Sequence, residues 1–443
     1  MFELEFPGRD ELERRHFLKV MGGASSLGMA SILFGPDLMK RVEAATEKTA
    51  GLDPKDVAQN EAFWREIQQA FTVSRGLINL NNGAVGSSPE VVTESMIRYL
   101  WQQEDAPPFQ RRILGARMET VRNALAQLFG ADPEEIAIMR NTTEAMQTVL
   151  LGLDFKPGDE VLTTGHDYFS LVGALDRREA RDDIVVKKIE VPVPPKSMDE
   201  LVAAFERGIT DHTRLILVSH PVNFTGQFFP VKRICDLAHR RGIEVAVDGA
   251  HSFAHLDFKH QDLDCDYYAT SLHKWLFAPK GTGMLYVRRD KINKVWPLLY
   301  ASNRMDNNIR KFESIGTRAY GPFLGIGEAV AFHNGIGPKR KEERLRYLKH
   351  YWADRLGALP KITFYSSLDS EMGCAIATVG IGGVNARALG TYLWDKHQIL
   401  TSAVTRMGIN GLRITPSLYT TLEELDVFCD IMEHIAKNGL PSS

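Results

Sequence analysis

The chain has 443 residues, of which 44% are hydrophobic and 25% charged. That balance is too apolar for a disordered chain and too charged for a polytopic membrane protein, and the length allows about two or three domains with a pocket between them. With 53 Lys and Arg against 56 Asp and Glu the net charge is −3, so nothing electrostatic favours nucleic acid as a partner, and four cysteines without a C-x-x-C pair exclude a disulfide scaffold and offer no zinc spacing.

The N-terminus reads as an address. Arg14-Arg15-His16-Phe17-Leu18-Lys19 precedes an apolar run from Val20 to Gly35, and small residues follow, ending Val42-Glu43-Ala44-Ala45. A basic start, an apolar middle and an A-x-A-like exit describe a secretory signal over residues 1–44, and the Arg pair narrows it to the twin-arginine type. The run is shorter than the ~20 apolar residues of a spanning helix, although an uncleaved signal would act as an anchor. The twin-arginine translocation machinery is then one expected partner, and the periplasm, or export after folding, the expected destination. Because that route carries folded proteins, a tightly bound cofactor is expected in the mature chain.

Beyond residue 45, short apolar runs alternate with amphipathic stretches. Glu135-Ile136-Ala137-Ile138-Met139 reads as a strand, followed by a helix over 143–152. Gly158-Asp159-Glu160-Val161-Leu162-Thr163-Thr164 is a turn and strand, Arg214-Leu215-Ile216-Leu217-Val218-Ser219 another, and a helix spans 231–241. Ile243-Glu244-Val245-Ala246-Val247-Asp248 and Gly283-Met284-Leu285-Tyr286-Val287 are further strands. From about Gly321 the pattern becomes a long helical stretch over 325–356, then mixed strands and helices. The reading is α/β: a large domain over 79–322 with a mostly parallel sheet covered by helices, and a smaller α+β domain over 323–443. Residues 45–78 form an N-terminal segment packing on the small domain.

In such a sheet ligands bind beyond the carboxyl ends of the strands, so the polar residues just after each strand are informative. After the first come Asn141-Thr142-Thr143, where Thr142 or Thr143 can cap the helix and the free N–H groups suit a phosphate. After the others come His166-Asp167-Tyr168, Ser219-His220-Pro221-Val222-Asn223 and Asp248-Gly249-Ala250-His251. Thr270-Ser271-Leu272-His273-Lys274-Trp275 follows. Lys274 is flanked by Leu272, Trp275, Leu276 and Phe277, which argues for partial burial, and a buried Lys has a lowered pKa and attacks carbonyls. Gly281-Thr282-Gly283 opens the next strand, or is simply a turn.

An Asp ending an apolar strand, then Ser-x-His-Lys, then Gly-x-Gly resembles the pyridoxal 5'-phosphate (PLP) enzymes of fold type I, and more narrowly the class V aminotransferase family. Asp248-Gly249-Ala250-His251, Leu272-His273-Lys274-Trp275 and Leu80-Asn81-Asn82-Gly83 resemble its isopenicillin N epimerase-like branch. The resemblance implies that Lys274 forms a Schiff base with the cofactor aldehyde and then moves the Cα proton, while Asp248 pairs with the pyridine nitrogen so that the ring accepts carbanion electrons in a quinonoid intermediate. It implies ring stacking by Tyr168 and phosphate contacts by Thr142, Thr143, Ser271 and His273. Asn223 and His251 would sit near the phenolic oxygen and the substrate carboxylate, although many relatives have Gln where His251 stands. Glu313-Ser314-Ile315-Gly316-Thr317 resembles a segment that reaches the neighbouring subunit's phosphate, which implies a homodimer with Thr317 acting in trans. Arg413, in Gly411-Leu412-Arg413-Ile414-Thr415, matches the carboxylate-binding Arg, with Asn223 and Asn82 also on the substrate.

Cysteine desulfurases of this family carry a nucleophilic Cys shortly before that Arg, and here 394–412 has none, while Cys374 reads as core. The expected function is therefore a PLP enzyme acting at the α-carbon of a small amino acid or peptide-like amine, class V aminotransferase-like. Epimerase and C–S β-lyase chemistry are the alternatives, and a non-catalytic PLP-fold binding protein is a further one. A nicotinamide enzyme lacks its G-x-G-x-x-G after a first strand.

Overall fold

The computed structural model describes residues 36–441; the Arg14-Arg15 pair and the apolar run behind it lie outside the described residues. In chain order the strands are β1 (Ile78–Asn79), β2 (Ile136–Met139), β3 (Glu160–Thr164), β4 (Val185–Ile189), β5 (Thr213–Ser219), β6 (Glu244–Asp248), β7 (Tyr267–Ser271) and β8 (Gly283–Val287). They continue with β9 (Ile362–Phe364), β10 (Ala377–Ile381), β11 (Ile399–Leu400), β12 (Ser402–Val404) and β13 (Gly411–Ile414). One sheet of seven has the order β2-β8-β7-β6-β5-β3-β4. Neighbours are parallel except where β8 runs against β2 and β7. A four-stranded antiparallel sheet, β12-β13-β10-β9, lies in the C-terminal part, and β1 pairs with β11.

Helices cover both faces of the large sheet, and the strands feed them alternately. Ile216 and Val218 enter one apolar core, Leu215 and Leu217 the other. That is the two-faced burial that makes parallel strands read as unbroken apolar runs. A third core, around Leu348, Trp352, Val379, Leu412 and Phe428, sits against the small sheet. Helix Ile326–Ile336 packs with the large sheet's core, as do Val57, Trp64 and Ile67 of the N-terminal segment.

Two strands of the seven-stranded sheet escape the sequence reading. β4 lies at the sheet edge with Lys187 and Lys188 on it, so its apolar pattern is diluted by the charges that protect an edge. β7 is buried along its whole length and shows no alternation. The expected 325–356 helix is two helices, Ile326–Ile336 and Pro338–Gly357. They part at Gly337, whose φ of +97° no other residue adopts readily and which precedes a proline that has no N–H to continue the ladder. At the N-terminus, helix Pro36–Lys48 buries Met39 and Val42 in the main core, and Thr46 donates to the Gly335 carbonyl at 3.1 Å. The expected cleavage point after Ala44 falls inside this helix. Among the described residues no helix is long and apolar enough to cross a membrane.

Candidate active site

Register places the chemistry-bearing residues at one edge of the large sheet. Ser219 of β5 lies opposite Asp248 of β6, and both strands end there. β8 starts at that edge, with Gly283 opposite both Ser271 of β7 and Met139 of β2. The start of helix Thr142–Gly152 is thereby set beside Ser271. A Cβ on Gly283 would stand 2.6 Å from the Asn141 backbone, so the approach requires glycine. The helix is capped by Asn141, whose Oδ1 accepts the Glu144 N–H at 2.8 Å, rather than by Thr142 or Thr143 as the sequence suggested. Thr142 is the first helical residue and gives its N–H to Ser271 Oγ at 3.0 Å, with the two hydroxyls 2.7 Å apart. Thr143 follows, half-buried. His273 Nδ1 bonds the Thr282 carbonyl at 2.9 Å, which fixes its proton there and turns Nε2 into an acceptor. The result is a cup of hydroxyls at a helix N-terminus, suited to an anion.

Lys274 follows in a tight turn that begins at Ser271. Gly86 closes on this turn from the N-terminal side, its N–H donating to the His273 carbonyl at 3.0 Å, and a Cβ there would lie 2.3 Å from the Lys274 carbonyl oxygen. The lysine keeps some accessible surface, but its amine is enclosed, 3.1 Å from His251 Nε2. Burial brings the amine down to about 8; Asp248 opposes that shift and Arg413 adds to it. Burial also pushes the Asp248 carboxyl up to about 6, although the Ala250 N–H (3.0 Å from Oδ1) and Lys274 both favour its charge. His251 is held far below its usual range by burial, then by the charges of Lys274 and Arg413, and is neutral.

Arg413 projects from β13 to the same place. Its Nη1 donates to the Asn223 carbonyl at 2.9 Å and its Nη2 to Asn81 Oδ1 at 2.6 Å, while Nε is buried without a partner. No carboxylate meets it among the described residues, and burial lowers it to about 10. Asn223 Oδ1 is likewise buried and unpaired. Asn82, expected on the substrate, is committed elsewhere. Its Nδ2 donates to the Asn79 and Thr415 carbonyls and its Oδ1 accepts from Tyr419, so the asparagine that faces Arg413 is its neighbour Asn81. Tyr168 stands half-buried at the start of helix Phe169–Asp182, its ring 4.6 Å from that of Phe169. Thr317 is exposed on the loop after Glu313 and hydrogen-bonds none of this cluster among the described residues.

Two further residues belong to the site and escape the sequence reading. Asp167 is buried beside Asp248 and accepts from Ser219, Thr163 and Thr164, and its charge helps to raise the Asp248 carboxyl. Trp275 donates its Nε1–H to His251 Nδ1 at 3.2 Å. Cys374 is fully buried, with its thiol pushed up to about 12 by burial, so it supplies no nucleophilic thiolate.

The family model described as aminotransferase class-V matches residues 78–428. The chain belongs to the class-V aminotransferase family. It is 28% identical over 390 residues to isopenicillin N epimerase of Streptomyces clavuligerus, covering 84% of this chain and 98% of that one. It is 27% identical to a probable cysteine desulfurase of Synechocystis (81% and 90% covered) and 25% identical to hercynylcysteine sulfoxide lyase of Schizosaccharomyces pombe (64% and 75%). Among solved structures, a C-DES mutant with glycine covalently linked to its PLP cofactor superposes with a TM-score of 0.74 at 22% identity, covering 82% of this chain and 98% of that one. The apo cysteine desulfurase of Thermococcus onnurineus superposes at 0.73 and 23%, covering 85% and 98%.

The protein is thus a PLP-dependent enzyme of fold type I. Its residues fit the cofactor. Among the described residues the desolvated Asp248 carboxyl accepts a hydrogen bond from one backbone N–H, the setting in which a protonated ring nitrogen would restore the missing counter-charge. Lys274 supplies an enclosed amine with a lowered pKa, and the Thr142–Ser271 cup supplies the anion donors.

Proposed function

We propose that this enzyme acts at the α-carbon of an amino acid or peptide-like amine that carries a free carboxylate. The observation that carries the reading is the convergence of Lys274, Asp248 and Arg413 in one enclosed cluster with no ion pair between them. Bound PLP supplies an aldehyde for covalent attachment of amines and a ring that withdraws electrons from Cα. The chain supplies the rest. Lys274 Nζ, near 8, is matched to taking and returning a proton at neutral pH. Asp248 would hold the ring nitrogen, and Thr142, Thr143, Ser271 and His273 the phosphate. Tyr168 would stack on the ring, and Asn223 and His251 would face its phenolic edge. The Arg413 fork, with Nε unspent, suits a carboxylate.

Transamination is the family's label, but full-length similarity to isopenicillin N epimerases supports proton return at the same carbon as the second reading, with C–S β-elimination as the third. A persulfide-forming desulfurase finds no exposed nucleophile, because all four cysteines, Cys374 among them, are buried. The exposure of Thr317, which hydrogen-bonds none of its own cluster among the described residues, supports a homodimer in which it completes the neighbour's phosphate site. Export by the twin-arginine route rests on Arg14-Arg15 and the run behind it. The buried Met39 and Val42 favour cleavage upstream of Ala44, which N-terminal sequencing of the exported protein checks.

The test is a screen of amino acids for shifts in the visible band of the PLP-loaded protein, followed by product analysis in deuterium oxide. Deuterium at Cα with inverted configuration marks an epimerase, a keto acid a transaminase, and pyruvate with a released thiol a lyase. If no carboxylate-bearing amine shifts the band, or if Lys274→Ala still becomes covalently labelled with PLP on borohydride reduction, the reading is wrong.

A further inference from the structure

Lys274 meets a hydrogen-bonding partner whose own state is dictated from behind. Trp275 Nε1 is only ever a donor, and it points at His251 Nδ1, 3.2 Å away. His251 Nδ1 must therefore present its lone pair, and a neutral imidazole then carries its proton on Nε2, the atom 3.1 Å from Lys274 Nζ. An N–H there can be received only by an amine with a lone pair; an ammonium would set donor against donor. The indole that imposes this arrangement is itself held. His255 stacks on it with ring centroids 4.0 Å apart and planes 14° apart. His255 is fixed in turn, its Nε2 accepting the Ala375 N–H at 3.1 Å and its Nδ1 bonding the His251 carbonyl. The buried Lys341 donates to the Trp275 carbonyl.

We propose that Trp275 is a positioning residue that locks His251 as the Nε2–H tautomer and, through it, holds the Lys274 amine unprotonated and reactive toward a carbonyl before any cofactor arrives. This rests on Lys274 being the PLP-attachment residue. The other charged and titratable groups facing the pair are Asp248 and Arg413 around Lys274, and Arg413 and His255 around His251. Asp248 favours the ammonium, so the tautomer works together with desolvation and Arg413 against it. Without the indole N–H, His251 is free to move its proton to Nδ1 and accept from a Lys274 ammonium, which raises the amine's pKa.

The experiment uses the full-length protein stripped of cofactor and follows the rate of visible-band formation on adding PLP, from pH 6 to 10. Wild type should show half-maximal rate near pH 8. In Trp275→Phe the midpoint should rise by at least ~1 pH unit while the rate at high pH stays near wild type, because about one pKa unit is a modest redistribution of one hydrogen bond. In a His251→Gln background, Trp275→Phe should move the midpoint no further. An unchanged midpoint, or a loss of rate equal at every pH, overturns the proposal, since that is what damaged packing alone would give. Should Trp275→Phe not fold, the nitrogen-15 histidine spectrum of the cofactor-free wild type decides. A neutral Nε2–H pattern for His251 between pH 6 and 9 supports the proposal, and an Nδ1–H or doubly protonated pattern overturns it. If wild type takes up no PLP, or Lys274→Ala takes it up covalently, the cofactor reading fails instead, and the histidine spectrum still decides the tautomer.

Discussion

The buried charges around Arg122 and those around Lys274 are built on contrary lines. Arg122 is almost wholly enclosed, yet both terminal nitrogens meet Glu313 and Glu119, and it also donates to the Ile136 carbonyl. Glu313 accepts the Ile138 N–H as well, and Arg310 binds Glu119 and Glu134. Around Lys274 the same expense of desolvation is left uncompensated. Asp248, Lys274 and Arg413 form no ion pair among the described residues. The first arrangement fixes β2 to the loop that leads to Thr317. The second stores charge for a ligand to complete, the pattern that separates working sites from structural ones.

The comparison breaks most sharply at Lys274. Lys274→Ala should lower turnover at least ~10³-fold in steady-state assays, with thermal stability unchanged or raised, because an uncompensated cation has gone. A fall in stability would make Lys274 a structural charge like Arg122. Glu313→Ala should do the reverse: leaving Arg122 buried and alone should cost about 3–5 kcal/mol in urea unfolding, with turnover per folded molecule close to wild type. Asp248→Asn should slow turnover by ~10²-fold.

The same contrast has a pH signature in the cofactor-free protein. The folded Asp248 carboxyl sits at about 6, above the 3.8 usual for an aspartate, so the folded state holds its proton longer and stability falls as pH rises from about 4 through 6, by up to about 3 kcal/mol. Lys274 sits at about 8, below 10.5, so its contribution rises again as pH climbs from about 8 to above 10. Buried histidines such as His220 and His255, held well below their usual range, add stability as pH rises over the same span, so the signature is a difference: the stability of wild type minus that of Asp248→Asn in chemical denaturation should fall between about pH 4 and 6, and a difference flat with pH would remove Asp248 from the balance. The smallest expected effect is Arg413→Ala, a rise in KM of ~10-fold or more for a carboxylate substrate with kcat little changed. A fall in kcat with KM unchanged would place the contact in the transition state alone.

Much of this was legible in the sequence because buried parallel strands are written as apolar runs. β2, β3, β5, β6 and β8 could be found that way, and with them the residues at their ends. β4 was hidden by its edge lysines, and β7 by lying inside the very motif that draws attention to Lys274. Finer errors came from neighbours of like chemistry. Asn141, Thr142 and Thr143 can each cap a helix, and only the backbone decides that Asn141 does. Asn81 and Asn82 differ by one position, and where the chain passes from a bridge into a turn that sends one side chain to Arg413 and the other to Tyr419. Asp167 and Trp275 act on the site through hydrogen bonds to other residues, and such contacts leave no spacing to read. Trp275 lay in plain sight beside Lys274, where an apolar neighbour reads first as packing.

Arg413 belongs to the small sheet, but its guanidinium grips the Asn223 carbonyl in the turn after β5 and the Asn81 side-chain oxygen just after β1. It is therefore a three-way clasp as well as a receptor. Any incoming carboxylate must be shared with, or taken from, those two holds, so occupancy by substrate and the tightness of the clasp are one equilibrium. Amide exchange in the 79–83 and 222–226 segments should register the arrival of a carboxylate at Arg413.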